Sequence, residues 1–289
     1  MSQDNIFRIN ANGLAHYPPA LALSRGLYPG HFGVYVQARI TPPTSDVDYT
    51  MWGGAESGFA DYPFPTSAVK LEIASTSTDD TITGTGMRTI LIRGLDANYD
   101  TITEVLELNG RTPVITTNNF IRVNFAWGVQ AGTGGINAGT IWIADSATDW
   151  TDGVPDTNSY KLSIIEAGRG QSAVGVFTAP RGHSVYFPAI IGSASKGGVN
   201  AVCDILVDGR GYNEDSVNNV ECWRNWSTMG LSGNADSTET FREDFIMLPA
   251  YHREDIRMRV NASFTTAPVF ARMALVLIKE PQPEPYSVT

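Results

Sequence analysis

The chain is expected to be all-β, with two β-sandwich or jelly-roll-like domains and an irregular N-terminal arm, on three observations. Short runs of alternating apolar and polar residues, bounded by Gly, Pro, Asn and Asp, recur along the 289 residues. No window places apolar residues at i, i+3, i+4 and i+7 behind a capping residue, so helices are not expected. Charged residues make up only 17%, while Gly, Ser, Thr and Asn are plentiful, which suits turns and exposed sheet faces.

Residues 1–66 form the arm. Pro18, Pro19, Pro29, Pro42, Pro43, Pro63 and Pro65 each remove a backbone donor, which prevents long regular strands. The aromatic density is nevertheless too high for a free linker. Two readings are open. The arm docks on a neighbouring subunit through Trp52, Phe59, Tyr62 and Phe64, or it is an irregular lobe packed on its own domain. A strand over 33–40 interrupts it.

Residues 67–145 form the first β domain. Its clearest part, residues 82–123, reads as three consecutive strands. The first carries Ile90 and Ile92 on one face, and the second carries Ile102, Leu106 and Leu108 on one face. The turn cluster GLDANYD at 94–100 separates them, and Asn109, Gly110 and Pro113 mark the next corner. Strands over 120–129 and 140–144 follow. The polar loop after Asp145 is the expected domain boundary.

Residues 146–280 form the second domain, with strands over 160–165, 173–179, 183–191, 199–207, 238–248, 255–264 and 270–278. Corners fall at 180–182, 196–198 and 208–211. The Pro-rich residues 281–289 are an expected exposed tail.

The composition also bounds function. Net charge is −10 and the 20 basic residues are scattered, which argues against nucleic-acid binding. No apolar run reaches the roughly 18 residues that span a bilayer. The N-terminus lacks a basic stretch followed by an apolar core, so no standard secretory signal is expected. His16, His31, His183 and His252 fall in no metal-ligand spacing. No G-x-S-x-G elbow is present, and the glycines at 132, 134 and 135 precede no helix that could present its N-terminus to phosphate.

Glu243 with Asp244, and Glu254 with Asp255, are adjacent on strands. They therefore point to opposite faces, and beside Arg242 and Arg253 they read as solvated charge clusters. No catalytic residue, cofactor or metal site is assigned, and the chain is expected not to be an enzyme.

Three features carry alternatives. The loop holding Asp149, Asp152, Asp156 and Asn158 is a calcium candidate or an ordinary hydrophilic loop. Cys203 and Cys222 form a disulfide or are two small buried side chains. Trp223, Arg224, Asn225 and Trp226 suit sugar stacking or a subunit interface.

Several elements together resemble a module of virion structural proteins of tailed bacteriophages, notably marine ones. They are Gly84-Thr85-Gly86, the turn at 94–98, Leu108-Asn109-Gly110 and the Asn-x-Gly corner at 137–139. Weaker similarity lies at 175–182 and 245–278, and the segment before residue 66 lies outside it. The resemblance implies a capsid decoration, fibre or tail-associated protein, made in the bacterial cytoplasm. It implies assembly with other virion proteins as a homo-oligomer, a trimer by preference. A host-glycan receptor-binding protein is the alternative.

Overall fold

A computed structural model of the chain describes residues 8–9, 15–16, 30–53, 61–195, 201–211, 222–233, 238–243, 253–265 and 267–280. Among these the chain is all-β, with several antiparallel sheets and no α-helix; a 3-10 turn spans Asn158–Tyr160. The expected C-terminal tail and Phe59 lie outside the described residues.

Strands β1 (Arg8–Ile9) and β2 (Ala15–His16) pair with each other. β3 (His31–Ile40) and β4 (Asp48–Thr50) follow. The next strands are β5 (Val69–Ser75), β6 (Met87–Leu95), β7 (Thr101–Glu107), β8 (Val114–Phe120), β9 (Arg122–Ala131) and β10 (Ile141–Asp145). A small hairpin, β11 (Trp150–Thr151) and β12 (Val154–Pro155), precedes β13 (Lys161–Ile165). The chain then forms β14 (Val176–Thr178), β15 (His183–Ser195), β16 (Ala201–Arg210) and β17 (Arg224–Gly233). It ends with β18 (Thr238–Glu243), β19 (Asp255–Ala262) and β20 (Val269–Lys279).

The first sandwich packs sheet β13-β10-β5-β8 on sheet β7-β6-β9. The alternation read in 82–123 produces it directly: Ile90, Ile92, Leu106 and Leu108 are buried between the sheets. The 94–100 turn is tied by the Asp96 carboxylate, which accepts from the backbone N–H of Asn98 (2.8 Å) and Asp100 (2.9 Å). The three strands do not stay together. β6 and β7 pair, but after Asn109 the chain crosses over and β8 pairs with β5 in the opposite sheet.

The second sandwich packs sheet β14-β19-β16-β17 on sheet β18-β15-β20-β3, with β4 also on the edge of β19. Ile190, Ile205, Ile256, Met258, Val260 and Met273 fill its centre. Pro188 lies inside β15 but falls at a register shift between Tyr186 and Ala189, where the ladder to β20 is interrupted.

Three expectations change. The boundary at Asp145 falls inside the first sandwich, because β13 returns to pair with β10. A polar loop reads the same whether it joins two domains or two strands of one sheet. Within the supposed arm, residues 31–50 belong to the second sandwich: β3 pairs with β20 along its whole length and β4 pairs with β19. β17, which pairs with β16, is a strand that no alternation in the sequence marks.

The second sandwich is therefore discontinuous, and the first is inserted between β4 and β14. The points of departure and return touch: the Gly175 N–H donates to the Met51 carbonyl at 2.7 Å, and the Met258 N–H donates to the Gly175 carbonyl at 2.7 Å.

Candidate functional site at the junction of the sandwiches

Three of the four elements that carry the resemblance, 84–86, 108–110 and 137–139, meet at one buried group. The Asp80 carboxylate accepts from the backbone N–H of Met87 (2.7 Å), Ala138 (2.8 Å) and Gly139 (2.8 Å), and from Ser75 Oγ (2.6 Å). Its own carbonyl accepts from the Gly110 N–H at 2.8 Å. A Cβ on Gly86 would stand 2.2 Å from Asp80 Oδ1, so the side chain leaves room only for glycine there. Asn137, also buried, donates through Nδ2 to the carbonyls of Gly139 (2.7 Å) and Glu166 (2.8 Å) and accepts from the Gly170 N–H (2.9 Å). These Gly, Asn and Ser residues build a corner, and they do so by satisfying one desolvated carboxylate.

At the opposite end of β9, Arg122 joins the sandwiches. Its side chain is 1% exposed and that of Asp255, on β19, is 0% exposed. Nε meets Oδ1 at 2.8 Å and Nη2 meets Oδ2 at 2.8 Å, a two-pronged pairing. Asp255 also accepts from Arg210 Nη2 (3.0 Å) and Thr178 Oγ1 (2.5 Å), while Arg122 Nη1 donates to the Ile121 carbonyl (2.8 Å). The carboxylate is thus compensated on both oxygens, as burial of a charge demands. Glu254 and Asp255 are both buried, which corrects the reading of them as a solvated cluster. Arg257 and Arg259 share the carboxylate of Asp208, also buried, on the same face of β19.

The predicted interface aromatics lie beside this network. Trp52 (1% exposed) and Tyr62 (4%) pack with Trp142, Ile164, Val174 and Val176, where residues of both sandwiches meet. Tyr62 is edge-on to Trp52, with centroids 5.4 Å apart, and Phe64 is edge-on to Tyr62 at 4.9 Å. Desolvation pushes the Tyr62 phenol above its ordinary range, with Arg122 opposing the shift. Of the two readings of this segment, its described part has the packed-lobe geometry.

Trp223 packs at a tilt against Phe64, centroids 5.1 Å apart and planes at 56°, and lies under the guanidiniums of Arg210 and Arg257, at 4.6 and 4.0 Å. Trp226 packs on the other side of the sheet, edge-on to Phe187 at 5.5 Å. It is the extra residue of a bulge opposite β16 and packs against Gly209, where a Cβ would stand 1.8 Å from the indole. The two rings do not form one sugar-stacking platform. Arg224 and Asn225 beside them are exposed.

The remaining candidates are dispersed. Cys203 is buried and Cys222 exposed, and both are free thiols. Burial, with Asp204 adding to it, pushes the Cys203 thiol up to about 12. Asp152 pairs with Arg111 (3.1 Å), and Asn158 Oδ1 accepts from Lys161 Nζ (2.9 Å). Among the described residues no group of three or more His, Cys, Asp or Glu is placed to hold a metal. His183 Nδ1 donates to the Arg181 carbonyl at 3.0 Å, while His252 and the His16 side chain lie outside the described residues.

A cleft of about 460 Å³ opens between the sandwiches, unforeseen from the sequence. β3 and β20 form one wall, and the segment after β13 forms the other. Arg39, Arg169, Arg272 and Glu166 line it, with Gln37 and Gln171. An adjoining hollow of about 210 Å³ shares Gln37, Gln171 and Arg272 and reaches Tyr35 and Trp127. No signal in one dimension joins residues 37, 169 and 272.

No family model and no curated protein matches the chain. Among solved structures it is similar to one titled as infectious bursal disease virus, Gx strain, at 9% identity and a TM-score of 0.24, over 86% of this chain and 71% of that one. The infectious bursal disease virus VP2 subviral particle aligns at 9% identity and a TM-score of 0.20, over 86% and 70%. Tripeptidyl peptidase 2 aligns at 8% and 0.21, over 87% of this chain and 21% of that one. Superpositions this loose establish neither a shared fold family nor a shared function.

Proposed function

We propose that the protein is a structural component of a bacteriophage particle. It acts as a homo-oligomer by assembling with other virion proteins rather than by catalysis, and is made in the host cytoplasm. The supporting observation is the Asp80 corner. Three of the sequence elements that resemble the phage virion module, 84–86, 108–110 and 137–139, are brought together there by hydrogen bonds. Elements spread over residues 84–139 thus come together as one three-dimensional unit. A chain joined across its two sandwiches by a buried ion pair also suits a part that must hold its shape under load.

Mass spectrometry of purified particles from an infected culture tests this reading. The protein is expected in many copies per particle, and antibody-gold labelling should place it on capsid, fibre or tail. Its absence from purified particles would overturn the reading.

A further inference from the structure

We infer that the cleft between the sandwiches binds an anionic saccharide, a capacity beyond the assembly role and independent of it. Three guanidiniums, from Arg39, Arg169 and Arg272, line the cleft against the single carboxylate of Glu166. In a chain of net charge −10, this is a local reversal of sign. Guanidinium is the side-chain group best shaped to grip a carboxylate or sulfate through two donors.

Arg39 and Arg272 stand on the paired strands β3 and β20, and Arg169 on the turn after β13. Arg39 is held by Glu166 at 2.8 Å and lies over the Phe270 ring at 5.3 Å. Its Nε is buried and makes no hydrogen bond, a donor already desolvated without an acceptor. Arg272 lies over the Tyr35 ring at 4.1 Å, and Tyr35 itself is 61% exposed.

The other lining groups read a sugar rather than a bare ion. Gln37, Gln171 and Ser193 offer amide and hydroxyl groups that match sugar hydroxyls. Tyr35 and Trp127 present partly exposed rings in the adjoining hollow, within reach of a ligand longer than one ring. The cleft volume lies in the range of small-ligand sites, roughly 300–1,000 Å³.

Calorimetric titration of the full-length protein tests this with trigalacturonate and 3′-sialyllactose as acidic probes, maltotriose as the neutral one and sodium sulfate as the bare anion. At least one acidic saccharide is expected to bind saturably. Arg272→Gln or Arg169→Gln, both at exposed positions whose loss spares the fold, should weaken that binding about tenfold or more. Arg39→Lys, which keeps the charge and loses the two-pronged geometry, should weaken it as well. The inference is overturned if neither acidic saccharide binds, if maltotriose or sulfate binds as tightly, or if the exposed-arginine variants bind like the parent.

Discussion

At Asp80 four donors converge on one carboxylate that has no access to water. Replacing it with Ala would leave three backbone N–H groups and a hydroxyl buried without acceptors, each costing on the order of 1–3 kcal/mol. Asp80→Ala is therefore expected to lower stability by at least about 3 kcal/mol, measured by urea denaturation. Asp80→Asn, which retains one acceptor oxygen, should lose less. Equal losses in the two variants would show that the charge, and not the count of acceptors, holds the corner. This aspartate drew no notice in the sequence, where it stands in a polar STSTDD run. The glycines around it did, because a glycine requirement leaves a local mark and a long-range carboxylate leaves none. The pairing of Arg122 with Asp255 leaves no local mark for the same reason: the two are 133 residues apart, and beside Glu254 and Arg253 the aspartate reads as part of a solvated cluster.

The strands show where periodicity suffices. β6 and β7 are legible because apolar residues recur at every second position, Ile90 with Ile92 and Ile102 with Leu106, in short runs bounded by turn residues. β17 is not, because the glycines, Ser and Asn in RNWSTMGLSG break the alternation and its tryptophan sits at a bulge. β3 was read as a strand but assigned to an arm, since pairing with β20 spans more than 200 residues of sequence.

That pairing changes what a truncation does. Deleting residues 1–66 removes β3 and β4 and the Trp52–Tyr62 contact, so the second sandwich is expected to unfold. Deleting residues 1–29 keeps all of these. Circular dichroism and thermal melting of the two truncations should therefore diverge sharply. A cooperative, near-parental melt for the longer deletion would mean that β3 is dispensable.

At the scale of the whole molecule, the sandwiches are joined by Arg122 with Asp255, Asn124 with the Thr178 backbone, Arg39 with Glu166, and the Trp52 cluster. Removing Arg122 leaves the buried Asp255 carboxylate with only Arg210 and Thr178 to compensate it, at a cost of up to about 3–5 kcal/mol. Arg122→Ala is expected to split a single calorimetric unfolding transition into two, as the inserted sandwich loosens from its host. A shift of one undivided peak would mean that the remaining contacts suffice for cooperativity. The all-β class and most of the strands followed from the sequence. The partition into sandwiches did not, because the chain's order along the sequence and its order in space differ at residues 51 and 175.

That hydrogen bond between Gly175 and Met51 also sets a timetable. A growing chain makes β3 and β4 before the rest of the second sandwich, yet their partners β19 and β20 follow more than 200 residues later. Until then the first two must wait with their ladder groups unpaired, while the inserted sandwich, whose strands lie close in sequence, folds between them. Folding of the host sandwich is thus deferred until β19 and β20 have been made, and a chain interrupted before them would expose the long unpaired edge of β3.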